Sequence, residues 1–148
     1  MNFRLAKIND INTLVKFRKQ QLIDEGQIPN INIDTELHDY FSSIIESENS
    51  IIYIMTKNEK DVAVGGVYFL RYPPSFKNAT GQTAYVHSMY TVAEYRGQGM
   101  ASGILALIID EVKKRNCKAI RLQATEYGKP VYKKAGFVES DGHMIMRL

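Results

Sequence analysis

Two apolar rhythms alternate along this chain, and the places where one gives way to the other mark its elements. Phe3–Lys7 alternates with period two and predicts a first strand. Ile11, Leu14, Val15 and Leu22, with Arg18 among them, recur at helical spacing. Ile11–Glu25 therefore reads as a helix, capped by Asn9 or Asp10 and ended by Gly26. Gln27–Ile33 holds Pro29 and reads as a loop. Asp34 or Thr35 caps a second helix whose stripe is Leu37, Phe41, Ile44 and Ile45. Ser50–Lys57 and Asp61–Leu70 are strands joined by a hairpin at Asn58-Glu59-Lys60. Two prolines and a glycine make Arg71–Gln82 a long loop, and Thr83–Val92 is again a strand. Met100, Ile104, Leu107, Ile108 and Val112 line one face of a helix over Arg96–Lys114, with Lys113, Lys114 and Arg115 at its negative end. Ala119–Ala124 is a strand, Lys129–Lys134 a short helix stopped by Gly136, and His143–Leu148 a last strand. The order β-α-α-β-β-β-α-β-α-β is mixed α/β, without repeat or low-complexity tract.

Length and composition narrow the class. A chain of 148 residues suits one domain, 1–148, burying roughly two thirds of its unfolded surface. No run approaches the length of a membrane span, and the first ten residues lack a secretory apolar core. One cysteine, Cys117, excludes an intramolecular disulfide; a buried, unreactive thiol and a cytoplasmic location are expected. The net charge of +3 does not argue for nucleic acid. Its distribution is more telling. Gln21–Ser50 carries Asp24, Glu25, Asp34, Glu36, Asp39, Glu46 and Glu48 and no Lys or Arg. Lys113–Lys134 carries eight basic residues against Glu126 alone. An acidic early part and a basic late part suit a cationic acceptor and a phosphorylated cofactor respectively.

The chemistry concentrates after the Met89–Val92 strand, where Arg96-Gly97-Gln98-Gly99-Met100-Ala101 leads straight into a helix. Two glycines let the backbone curl close to a ligand, and the helix start offers free N–H groups and a positive dipole end. Together they form an anion cradle. A P-loop is excluded because no Lys follows Gly103. Gly97, Gly99 and Gly103 nearly meet the dinucleotide fingerprint, but in the wrong half of the chain. Arg96, Gly99 and Ala101 meet [RQ]-x-x-G-x-[GA]. This loop resembles the coenzyme A pyrophosphate loop of the GCN5-related N-acetyltransferases. Val131-Tyr132-Lys133-Lys134-Ala135-Gly136-Phe137 is similar to a second signature of that family, Y-x-K-x-G-F. The element order matches as well, so the resemblance covers essentially the whole chain.

The resemblance implies the acetyltransferase fold, a mostly antiparallel central sheet flanked by helices. It implies transfer of the acetyl group of acetyl-CoA to a primary amine by direct attack in a ternary complex. Backbone groups of Met89, Tyr90 and Thr91 would pair with the pantetheine arm, and one of their N–H groups would hold the thioester oxygen as charge develops on it. Amides of Gly97, Gln98, Gly99, Met100, Ala101 and Ser102 would hold the pyrophosphate, with Arg96 opening the motif. Tyr132 takes the position of the acid that protonates the leaving thiolate, its reference pKa of ~10 lying just above a thiol's ~8.5. Lys133 is a candidate for a cofactor phosphate. Thr125 stands where many members have Asn, and its hydroxyl could serve the pantetheine in part.

The base is open among three candidates. His87 lies two residues before Met89 on one strand, so both side chains should share a face. Glu126 is the second candidate and a water relay the third. His38 and His143 lack ligand-spaced partners, and no metal is inferred. The acceptor should sit between the first two helices and the Arg71–Gln82 loop, where the acid surplus suits a polyamine, an aminoglycoside-like compound or a lysine-like group. Three rival readings are a non-catalytic acyl-CoA sensor, a protein or peptide N-acetyltransferase, and a small dinucleotide-binding oxidoreductase. The resemblance also admits a homodimer; no membrane or nucleic-acid partner is expected.

Overall fold

The computed structural model describes residues 1–140 and 142–148. Five strands form one sheet in sequential order: β1 (Asn2–Leu5), β2 (Ser50–Lys57), β3 (Lys60–Arg71), β4 (Gln82–Thr91) and β5 (Ala119–Arg121). The first four are antiparallel and β5 runs parallel to β4. The β2–β3 connection is a tight hairpin. Asn58 and Glu59 both adopt positive φ (50° and 61°), whose twist matches that of the flanking strands.

Period-two burial divides the sheet between two cores. On one face α3 (Met100–Lys114) lays Met100, Ile104, Leu105, Ile108 and Val112 against Met55, Val62, Val67, Ala84 and Val86. On the other, α1 (Ile11–Asp24) and α2 (Asp34–Ile45) lay Leu14, Phe17 and Phe41 against Ile52, Ile54, Val64 and Tyr90. The short α4 (Lys129–Lys134) brings Val131 and Tyr132 to the α3 side. Among the described residues no helix is long and apolar enough to cross a membrane.

An irregularity in β4 positions the site. Val64 pairs with Tyr90, yet Gly66 pairs with His87, so β4 carries one extra residue over this interval. Ser88 holds the bulge with a left-handed φ of 54°. The bulge breaks the alternation, and the shared face expected for His87 and Met89 is lost. Met89 packs with the α3-side core. The His87 ring stacks on Tyr68 at 4.1 Å and meets the edge of Tyr40, on α2, at 6.4 Å. Beyond Tyr85, which pairs with Arg121, β4 has no β5 partner. Strand β5 therefore stops at Arg121 rather than Ala124, and a gap opens between the two.

Two further boundaries differ from the sequence expectation. The helix expected from Arg96 begins at Met100, because Ala93–Tyr95 forms a 3₁₀ turn and Gly97 and Gly99 both hold positive φ. His143–Leu148 forms no strand. Among the described residues no neighbour pairs with its backbone, and Met144, Ile145, Met146 and Leu148 are exposed.

Arg4 ties the sheet to the first helix. Its guanidinium makes a two-bond fork on Asp10 (2.7 and 2.9 Å) and also reaches Asp61 (3.1 Å). The fork holds the Asp10 carboxyl below its usual range. A depressed carboxyl stabilises the fold above its unfolded pKa of ~3.9, and that contribution is lost as pH falls through the folded value. Asp10→Asn should cost about 1–2 kcal/mol at neutral pH, allowing for the partly exposed Arg4. Urea unfolding of both proteins tests this: the gap should close in acid, and a gap constant down to pH 3 would refute the linkage.

Candidate active site

The gap between β4 and β5 continues into a cleft of about 800 Å³. One wall is the unpaired edge of β4, from Val86 to Thr91. The floor is the loop from Tyr95 to Ser102, of which Gln98 alone does not line the cleft. Gln123, Thr125 and Tyr132 supply the opposite wall, and Gln21, Asp24 and Glu25 at the end of α1 close the rim.

The floor has the properties of an anion cradle. Gly97 and Gly99 hold φ of 72° and 81°, and a Cβ on either would point into open space. Gly99 caps α3 without a side-chain hydrogen bond. The first helical bond at this end runs from the Gly103 N–H to the Gly99 carbonyl at 2.9 Å. The amides of Met100, Ala101 and Ser102 precede it, so they are free for a ligand. These features fit the pyrophosphate of coenzyme A. Met89, Tyr90 and Thr91 lie along the open β4 edge beside it, where unpaired backbone groups can receive an extended arm.

Arg96 lies differently from the simplest reading of its motif. Its Nε donates to the Thr91 carbonyl at 2.9 Å, and its Nη2 donates to the Asp24 carboxylate. The guanidinium also stacks near the Tyr90 and Tyr127 rings, at 5.8 and 5.9 Å. It thus pins the end of β4 to the end of α1, and Asp24 raises its pKa further. Gln98 donates to the Glu94 carbonyl and accepts from Lys57 Nζ at 2.8 Å. Lys57, at the end of β2, stands over the Tyr95 ring and brings a cation to the cradle. Sequence reasoning did not single out Lys57, which reaches the loop only through the hairpin.

The remaining candidates divide. Tyr132 is half-buried in the cleft, packed edge-on against Phe137 at 5.9 Å. Burial, and then the nearby Glu25 carboxylate, push its phenol up to about 12. His87 lines the cleft too, and burial followed by the Arg18 charge brings it down to about 4. Its Nδ1 lies 3.1 Å from Ser88 Oγ, while Nε2 is buried with no partner among the described residues. The ring fits flat because residue 66 is glycine: a Cβ there would fall 2.6 Å from His87 Cε1. Thr125 Oγ1 accepts from the Gly128 N–H at 3.1 Å, shaping the turn before α4. Glu126 is exposed and held by Lys129 at 2.6 Å. Lys133 lies outside the cleft, 3.7 Å from Glu139, whereas Lys134 lines it. Cys117 is half-buried, its thiol raised by burial.

A split sheet edge ending on a glycine-rich helix start, with a half-buried phenol opposite, defines an acyl-CoA-using transferase. The chain belongs to the GNAT acetyltransferase family, whose model matches residues 19–137. A predicted acetyltransferase from Clostridium acetobutylicum, solved with acetyl-CoA, is 40% identical with a TM-score of 0.93, over 99% of this chain and 95% of that one. Mouse thialysine N-epsilon-acetyltransferase is 24% identical, covering 97% of this chain and 79% of its own. A GCN5-related N-acetyltransferase from Ralstonia eutropha shares the fold at a TM-score of 0.91 and 17% identity, over 99% of this chain and 97% of that one. The protein is an acetyl-CoA-dependent N-acetyltransferase.

Gly99 provides a direct test of the cradle. An alanine there meets the steric cost of left-handed backbone, about 1–2 kcal/mol, which the loop can relieve by turning its amides away. Gly99→Ala should weaken acetyl-CoA binding about tenfold by calorimetry. Unchanged affinity would show that the left-handed turn does not shape the site.

Proposed function

We propose that the acceptor is a small cationic primary amine that attacks the thioester directly in a ternary complex. The observation that carries this is the acidic end of α1. Asp24 and Glu25 line the cleft rim, and the Glu25 charge is felt at Tyr132. Asp24 is engaged by Arg96, which leaves Glu25 as the carboxylate best placed to attract an ammonium group. The mouse relative, named for acetylating an ε-nitrogen, is consistent with an amine on a flexible chain.

In this reading the amine nitrogen bonds to the thioester carbon as the carbon–sulfur bond breaks. An N–H on the open β4 edge faces the oxygen that gains charge. Tyr132 supports the departing thiolate. A phenol held near 12 stays protonated throughout the physiological range, so it is always available as a donor. The amine must first lose a proton, and its reference pKa is ~10.4. His87 stays neutral at about 4, which makes it a weak base for an ammonium. Glu126 is exposed and paired with Lys129. A water relay is therefore favoured, with His87 orienting rather than accepting.

Thiol release from acetyl-CoA over matched cationic and neutral amines tests the acceptor class. Cationic amines should be preferred, with the preference weakening as salt rises. Equal, salt-insensitive activity on both would overturn the reading. Tyr132→Phe should lower kcat about 10²-fold or more. With the phenol protonated below about 12, it should impose no alkaline fall in the wild-type rate up to pH 10.

A further inference from the structure

Resting on the reading that this cleft takes an amine, we propose that the acceptor also carries a carboxylate, received by Arg18 and His87 Nε2. Arg18 is half-buried on α1. Its Nη1 donates to Gln21 Oε1 at 3.0 Å, and among the described residues it has no carboxylate partner. The half-buried Arg4, Arg96 and Arg115 each have one. Removing a cation from water without an anion is costly, so the position suits one supplied by a ligand.

A second group beside it points the same way. Gln21, to which Arg18 donates, lines the same cleft as His87, whose ring stacks on Tyr68, and the Arg18 charge is felt at both rings. His87 lines the cleft, and its Nε2 is buried without a partner among the described residues. If Ser88 Oγ donates to Nδ1, the neutral ring carries its proton on Nε2 and becomes a donor. An imidazole N–H and a guanidinium together offer donors only, the complement of a carboxylate. Tyr40 and Tyr68 wall the place and limit water.

Helical spacing sets this anion site apart from the amine site. Arg18 and Gln21 stand at i and i+3 on one face of α1, and Glu25 follows at i+7 as the residue that caps the helix end. From Arg18 to Glu25 the helix rises about 10 Å. The wall is thus positive at one end and negative at the end beside Tyr132. A molecule with a terminal ammonium and a distant carboxylate matches both ends, whereas a diamine or polyamine would bring a cation against Arg18. The acceptor class is an ω-amino acid or an amino acid with an amine on its side chain.

The test compares ω-aminocarboxylates of three to seven carbons with alkylamines of matched length, reading kcat/KM from thiol release. At the best length the carboxylate should raise kcat/KM at least tenfold. Arg18→Gln should bring that ratio towards one mainly through KM, and Arg18→Lys should keep part of it. Turnover of the alkylamines with no gain from the carboxylate would overturn the proposal while leaving the amine reading intact. If no amine turns over, the amine reading fails. Calorimetry on the CoA-loaded wild type and Arg18→Gln then decides the anion site separately. Binding of 6-aminohexanoate that needs Arg18 supports it, and no binding, or binding indifferent to Arg18, refutes it.

Discussion

A single extra residue in β4 is the constraint on which the site depends. Bulging a strand at Ser88 forces a serine into left-handed backbone, a conformation that persists only where the surroundings hold it. Here the flanking ladder to β3 and the cores on both faces supply that hold. The bulged strand bends, and β5 cannot follow it beyond Arg121. The same distortion therefore leaves backbone groups unpaired for the cofactor on one edge. It also turns His87 towards the α2 side of the sheet, where Tyr40 and Tyr68 receive it.

The two halves of the cleft are built from different materials. The cofactor half is mainly backbone: a free strand edge, two left-handed glycines and the opening amides of α3. The half proposed to take the acceptor is mainly side chains, carried on the end of α1 and on the aromatic cluster beneath it. Arg96 joins them. It belongs by sequence to the phosphate loop, yet its guanidinium grips Asp24 and the Thr91 carbonyl. The end of α1 is thereby braced against the end of β4.

What could be read from the sequence follows the same division. Periodicity located α1, α2, α3 and the β2–β3 hairpin, because each has a regular apolar face. The Arg96–Ala101 loop was legible because glycine is favoured where φ is positive. The bulge was not legible: Ser88 carries no signal for its φ, and period-two reasoning sent His87 to the wrong face. Arg18 stood in the helical pattern, but its lack of a carboxylate partner among the described residues emerges only once the other half-buried arginines are seen paired. Lys57 and Glu25 come to the site through tertiary contacts between segments far apart in the chain, which no local pattern encodes. The alternation over His143–Leu148 suggested a strand, but a strand also needs a neighbour.

The backbone character of the cofactor half has a consequence for how such proteins diverge. Side chains along a strand edge can be exchanged without altering the N–H and C=O groups they hang from. Shape is thus constrained far more than spelling, and a fold can be kept at a TM-score of 0.91 with only 17% identity. The face of α1 is under no such protection. On the proposed reading, two or three replacements at Arg18, Gln21 and Glu25 would redraw the acceptor wall while leaving the donor machinery as it is, so new substrates are reached in few mutational steps.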